Sequence, residues 1–118
     1  MSQFIAFLSA KANPNFPEVQ DIEPQDLWAH RDKVTIIDVR RDDERVTGYV
    51  PGSRHIVLDT LPDHTDQIPK DQSLVFVCRS GGRSARASAW ALSEGFKSVY
   101  NLRGGMLLWE QLNLESTK

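Results

Sequence analysis

The chain carries a single cysteine, Cys78, in 118 residues, which excludes an intramolecular disulfide and with it the small disulfide-stapled folds. Three histidines, His30, His55 and His64, lie far apart, and no Cys/His set has zinc-ligand spacing, so neither a metal nor a cofactor is called for. No run approaches the roughly 20 apolar residues that span a bilayer. A formal net charge of −2 with 25% charged residues excludes an overall basic field for nucleic acid. Internal repeats and linker-like stretches are also lacking. The length fits one domain with a real core, and a free thiol fits a reducing, cytoplasmic setting.

The apolar run Phe4-Ile5-Ala6-Phe7-Leu8 has the flavour of a secretory leader, but it is short and no basic residue precedes it. Residues 1–16 are read as an N-terminal arm or short helix that uses Phe4, Phe7 and Leu8 to cover the core and ends at Asn13-Pro14-Asn15. Residues 17–118 then form the single domain.

Apolar runs alternate with helical segments along the rest of the chain. Strands are expected at Glu18–Gln20, Val34–Val39, Arg54–Val57, Ser73–Val77 and Ser98–Leu102. Helices are expected at Glu23–His30, after Asp42-Asp43, from Ser84 to Glu94 and after Gly105, with single-turn helices between Leu58 and Asp71. This alternation implies an α/β fold: a five-stranded, mainly parallel sheet with helices on both faces and a ligand site beyond the carboxyl ends of the strands. Three basic loops are expected at that end: Arg40-Arg41, the Cys78 loop and Arg103.

The segment Leu74-Val75-Phe76-Val77-Cys78-Arg79-Ser80-Gly81-Gly82-Arg83-Ser84 carries the chemistry. A lone cysteine is ordinarily a small apolar filler. Here it stands where a buried strand meets a loop whose Ser80, Gly81 and Gly82 supply no core volume, yet let backbone N–H groups turn toward one point, forming an anion nest. The following helix adds unpaired N–H groups and the positive end of its dipole, and Arg79 and Arg83 add full charges. The thiolate is the nucleophile in cysteine chemistry, and such surroundings favour it. Ser84 has two roles open, helix cap or substrate contact. If Gly81 and Gly82 need positive φ or close backbone approach, valine at either impairs chemistry more than folding.

Four segments in order then carry a family resemblance: Ile36-Ile37-Asp38-Val39-Arg40 with Glu44, Gly48-Tyr49-Val50-Pro51-Gly52-Ser53, the Cys78 loop, and Val99-Tyr100-Asn101-Leu102-Arg103-Gly104-Gly105 ending at Trp109. Together they resemble the single-domain rhodanese-like sulfurtransferases. The resemblance implies a rhodanese fold in which Cys78 is catalytic. It takes a sulfane sulfur from a donor such as thiosulfate and passes it to cyanide or a thiol, so that small-molecule donor and acceptor are the partners and a protein persulfide is a further candidate. Substrate binding falls to Arg79, Ser80, Gly81, Gly82, Arg83 and Ser84. Asp38 and Arg40 are read as bracing the loop, Arg103 as either rim or solvated, and His55 as a structural hydrogen-bonding residue. Tyr49, His55 and Val57 depart from the family's usual His, Asn and Pro. Two alternatives stand beside this reading. One is a persulfide-carrier or regulatory module with little small-molecule turnover. The other is a phosphatase or arsenate reductase, disfavoured because Cys78 to Arg83 is Cys-x4-Arg, whereas those enzymes use Cys-x5-Arg. Oligomeric state is left open.

Overall fold

A computed structural model of the protein describes residues 3–118. In chain order its elements are β1 (Lys11–Ala12), β2 (Gln20–Ile22), α1 (Pro24–His30), β3 (Thr35–Asp38), α2 (Asp42–Arg45), β4 (Arg54–His55), β5 (Leu74–Val77), α3 (Gly82–Ser93), β6 (Val99–Leu102) and α4 (Gly105–Gln111). Turns of 3₁₀ helix fill Arg31–Lys33 and Leu58–Gln67, the second kinked at His64. The strands form one sheet in the order β1-β2-β6-β5-β3-β4, parallel throughout except for the β1–β2 pair.

Side-chain alternation on the central strands builds the two halves of the core. Leu74 and Phe76 of β5 point to the face covered by α3 and the 3₁₀ segment, where Ala87, Ala91, Phe96 and Leu61 pack against them. Val75 and Val77 point to the other face, against Leu27 of α1 and Met106 and Trp109 of α4. The small alanines of α3 bring that helix close to the sheet. Trp109, fully buried, meets Trp28 edge to face.

The sheet has six strands where five are expected, and the extra one comes from the N-terminal residues. Residues 3–16 contain no helix. Asn13 Oδ1 instead accepts the N–H groups of Asn15 and Phe16, a side-chain turn that folds the chain back. Lys11 and Ala12 consequently pair antiparallel with Asp21 and Gln20. Of the apolar side chains expected to cover the core, Phe7 is buried edge to face on Tyr100, whereas Phe4 is 41% exposed and Leu8 fully so. β2 also lies two residues later than expected, which puts Asp21 inside the sheet.

Strand order positions the site. From β3 the chain runs outward to β4, then returns to β5 on the other side of β3, and the α3 crossover continues away to β6. The direction of winding therefore reverses between β3 and β5, and in parallel sheets a crevice opens at such a switch beyond the carboxyl ends. The loops carrying Arg40-Arg41 and Cys78 flank it. Among the described residues no helix is long and apolar enough to cross a membrane.

Candidate active site

Cys78 follows the last residue of β5 and is 1% exposed. Its Sγ lies 3.1 Å from the Gly81 backbone nitrogen, which donates to it, and 3.2 Å from Ser84 Oγ. Gly81 reaches this position with φ of 104°, in the left-handed region, and a Cβ there would stand 3.3 Å from the Gly104 nitrogen. Gly82 differs: it has an ordinary φ, and a Cβ on it would meet nothing within 4 Å. The expectation that both glycines are conformationally required is therefore corrected to Gly81 alone. With Gly81 at its N-cap, α3 begins two residues before Ser84. Ser84 is thus inside the first turn and does not cap the helix; its hydroxyl faces the sulfur and Asn101. The first-turn N–H groups, without intrahelical partners, stand at the same end.

The loop is also held from behind, by the start of the last helix. At the start of α4, Met106 N–H donates to the Cys78 carbonyl at 2.9 Å and Leu107 N–H to the Arg79 carbonyl at 3.0 Å. Engaging the carbonyls on that side leaves the N–H side of the loop for the sulfur. The approach depends on Gly105, with φ of 56°, because a Cβ there would lie 2.5 Å from both carbonyl oxygens.

A cleft of about 540 Å³ opens at the switch, and Arg40, Arg41, Arg79, Arg83, Glu44 and Leu107 are among its walls. Arg83 makes a two-pronged bond with Glu44, each oxygen 2.7 Å from a guanidinium nitrogen. That bond, with a further one from the Arg41 N–H, outweighs desolvation and holds the Glu44 carboxyl at about 2, while the Glu44 bond raises the Arg83 pKa above its ordinary value. Arg41 is paired with Asp43, and Arg40 with Asp38. Arg79 is exposed and has no carboxylate partner among the described residues.

Asp38 and Arg40 form a buried ion pair at the end of β3, with Arg40 Nη2 2.8 Å from Asp38 Oδ2. The same guanidinium donates to the carbonyls of Gly48 and Glu44, and Arg45 reaches Asp38 at 3.3 Å. The pair thus ties the strand end to α2, which presents Glu44 to Arg83. His55 Nε2 lies 2.7 Å from the Arg40 carbonyl, an intramolecular contact away from the sulfur.

The three basic loops do not converge on one cleft. Arg103 pairs with Glu23 and lines a separate cleft of about 180 Å³ together with Ser80, Gly81, Gly82, Asp21 and Asn101. The residues of the Cys78 loop are therefore divided, with Arg79 and Arg83 toward the larger cleft and Ser80 to Gly82 toward the smaller.

Nothing local in the sequence assigns Asn101 or Asp21 to the site, yet both stand behind the cysteine loop. Asn101 Nδ2 donates to Asp21 Oδ1 at 2.9 Å and to the Gly81 carbonyl at 3.2 Å, and its Oδ1 faces Ser84 Oγ. A signal was present in the sequence, since Asn101 is a polar residue inside the otherwise apolar strand Val99-Tyr100-Asn101-Leu102. A buried amide must find partners, and here they belong to the cysteine loop.

Residues 23–112 match the rhodanese-like domain model. A sulfurtransferase of Allochromatium vinosum is 33% identical over 99 residues, covering 81% of this chain and 92% of that one. The thiosulfate sulfurtransferase GlpE of Stutzerimonas stutzeri is 35% identical over 89 residues, covering 75% and 82%. Among solved structures, a rhodanese-related protein of Thermoplasma volcanium superimposes with a TM-score of 0.77 at 25% identity, covering 82% of this chain and 96% of that one. A parallel sheet with a cysteine loop at its switch point, matched over most of the chain by that domain model, makes this protein a member of the rhodanese-like domain family.

Proposed function

We propose that the protein is a sulfurtransferase that moves a sulfane sulfur from a donor such as thiosulfate, through a persulfide on Cys78, to a thiophilic acceptor such as cyanide or a thiol. The observation that carries this reading is the Cys78 sulfur held by the Gly81 N–H at the positive end of α3, beside a cleft in which Arg79 has no carboxylate partner among the described residues. The names of the relatives, one of them a thiosulfate sulfurtransferase, support it.

In the first half-reaction the Cys78 thiolate attacks the outer sulfur of thiosulfate. A bond forms between the two sulfurs, the sulfur–sulfur bond of the donor breaks, and sulfite leaves with its electron pair. In the second, the acceptor attacks the outer persulfide sulfur and Cys78 leaves as thiolate. Two half-reactions on one nucleophile give ping-pong kinetics. Preorganised N–H donors stabilise the anionic sulfur in both. Arg79 is the cation suited to the sulfonate end, because the charges of Arg83, Arg41 and Arg40 are each met by a carboxylate. A reducing, cytoplasmic setting keeps the thiol available.

Intact-protein mass spectrometry after thiosulfate treatment, then cyanide, tests the proposal. The expected result is a gain of one sulfur in wild type, none in Cys78→Ser, and loss of that sulfur as thiocyanate on adding cyanide. No sulfur gained from thiosulfate, a mercaptan-type donor or a persulfide donor refutes it, and a phosphate-ester assay then examines the phosphatase alternative. Loading followed by slow discharge to small acceptors favours the carrier module.

A further inference from the structure

One hydroxyl proton at the site has two claimants. Ser84 Oγ lies 2.5 Å from Asn101 Oδ1 and 3.2 Å from Cys78 Sγ, yet a serine has a single O–H to donate. The orientation of the Asn101 amide is determined by its neighbours. Its other end meets the Asp21 carboxylate and the Gly81 carbonyl, both acceptors, so Nδ2 must point there and Oδ1 must face the serine. Asp21 is itself anchored by Asn13 Nδ2 at 2.9 Å. All four side chains are buried, Ser84 and Asn101 almost completely. A carboxylate accepting from the amide nitrogen polarises the amide and makes its oxygen a stronger acceptor.

We infer that Asn101, backed by Asp21, is a positioning residue that claims the Ser84 hydroxyl proton, so that Ser84 turns its lone pairs, not its proton, toward Cys78. The inference rests on the proposed role of Cys78 as nucleophile. Its consequence is that the sulfur anion has the Gly81 N–H as donor but is denied the Ser84 hydroxyl beside it. A thiolate with fewer donors is the stronger nucleophile, since reactivity falls with basicity by a Brønsted slope of about 0.4–0.5. The arrangement thus favours attack on the donor over easy release of the thiolate.

Charged groups on the surrounding elements are Arg79 in the loop, Arg83 on α3 with Glu44 from α2, Asp38 with Arg40 at the end of β3, Asp21 on β2, and Arg103 with Glu23 beyond β6. None is altered in the variants that test the inference, so differences among these variants isolate the hydroxyl.

The experiment follows the rate of Cys78 alkylation by iodoacetamide against pH, a readout that needs no sulfur transfer. Failure of this inference is thereby distinguishable from failure of the proposed activity. In Asn101→Leu the freed Ser84 hydroxyl donates to the thiolate; the pH midpoint falls by about one unit, the size of one charge-assisted hydrogen bond to an anion. The limiting rate at high pH falls about threefold by the Brønsted slope. The double variant Ser84→Ala/Asn101→Leu shows no such fall in midpoint. Ser84→Ala alone, a single-atom deletion suited to a buried site, leaves the midpoint unchanged or slightly lower. A midpoint raised by about one unit in Ser84→Ala overturns the inference, because it means the serine donates to sulfur in wild type. An unmoved or raised midpoint in folded Asn101→Leu, or a fall that persists in the double variant, overturns it as well. If Asn101→Leu does not fold, the Ser84→Ala measurement decides alone.

Discussion

Replacing Gly105 with alanine tests whether the cysteine loop is held from behind. A Cβ at this position would stand 2.5 Å from the carbonyl oxygens of both Cys78 and Arg79, in a backbone conformation with φ of 56°. Both neighbours are backbone atoms and cannot rotate away. The left-handed conformation costs a residue with a side chain about 1–2 kcal/mol. Forcing α4 back lengthens the two hydrogen bonds from Met106 and Leu107, worth about 1 kcal/mol each. The sum of about 3–4 kcal/mol is a large share of the ~5–15 kcal/mol that holds a typical domain together. At about 4 °C per kcal/mol for a chain of this size, Tm falls by roughly 12–16 °C. The Cys78 sulfur moves with its own carbonyl, and a displacement near 1 Å at a reacting atom costs on the order of a hundredfold in rate. Gly82→Ala is the control. No atom lies within 4 Å of its Cβ and its φ is ordinary, so stability rises by about 0.4–1 kcal/mol through the unfolded chain. Thermal unfolding by circular dichroism and the rate of sulfur loading by mass spectrometry measure both variants. A Gly105→Ala protein with wild-type Tm and loading rate refutes the account of the loop, as does a Gly82→Ala protein that is equally damaged.

Two further predictions concern the braces. The Glu44 carboxyl is held at about 2, below its ordinary 4.5, chiefly by the bond from Arg83, so the folded state binds fewer protons than the unfolded state in that range. Its contribution to stability is complete above about pH 4.5 and is lost as pH falls toward 2; Glu44→Gln should flatten the fall in urea-unfolding stability across that window, and an unchanged acid limb contradicts the assignment. Arg40→Ala leaves the buried Asp38 carboxylate with Arg45 as its remaining cation and the residue-40 backbone N–H as a further donor, and strips a donor from the Gly48 carbonyl, with an expected loss of about 3–5 kcal/mol; a loss under about 1 kcal/mol in urea unfolding would show that water replaces the guanidinium.

Local physics made much of the molecule legible in the linear chain. The buried runs Ile36-Ile37 and Leu74-Val75-Phe76-Val77, the alanine-rich segment before Gly95 and Pro24 at a helix start specified parallel strands and covering helices, because period and propensity act over a few residues. The run Cys78-Arg79-Ser80-Gly81-Gly82-Arg83 marks the loop for the same reason: a strand end, a glycine able to take positive φ and a helix start are local features of an anion nest. Long-range partners were the part that remained hidden. Nothing near Arg83 in sequence shows that Glu44, 39 residues earlier, takes its charge, nor that Arg79 is left without a carboxylate partner among the described residues. Lys11 and Ala12 do not read as a strand, because only the Asn13 turn and the open edge of β2 make them one. Gly81 and Gly82 are the same residue to the sequence; their φ values and neighbours separate them. Asn101 and Asp21 lie 80 residues apart, and only the β2–β6 pairing makes them a support for Ser84 behind the cysteine. Chemical type is thus written locally, while which charge is spent, which proton is claimed and which backbone must stay bare depend on contacts that exist only once the sheet has closed.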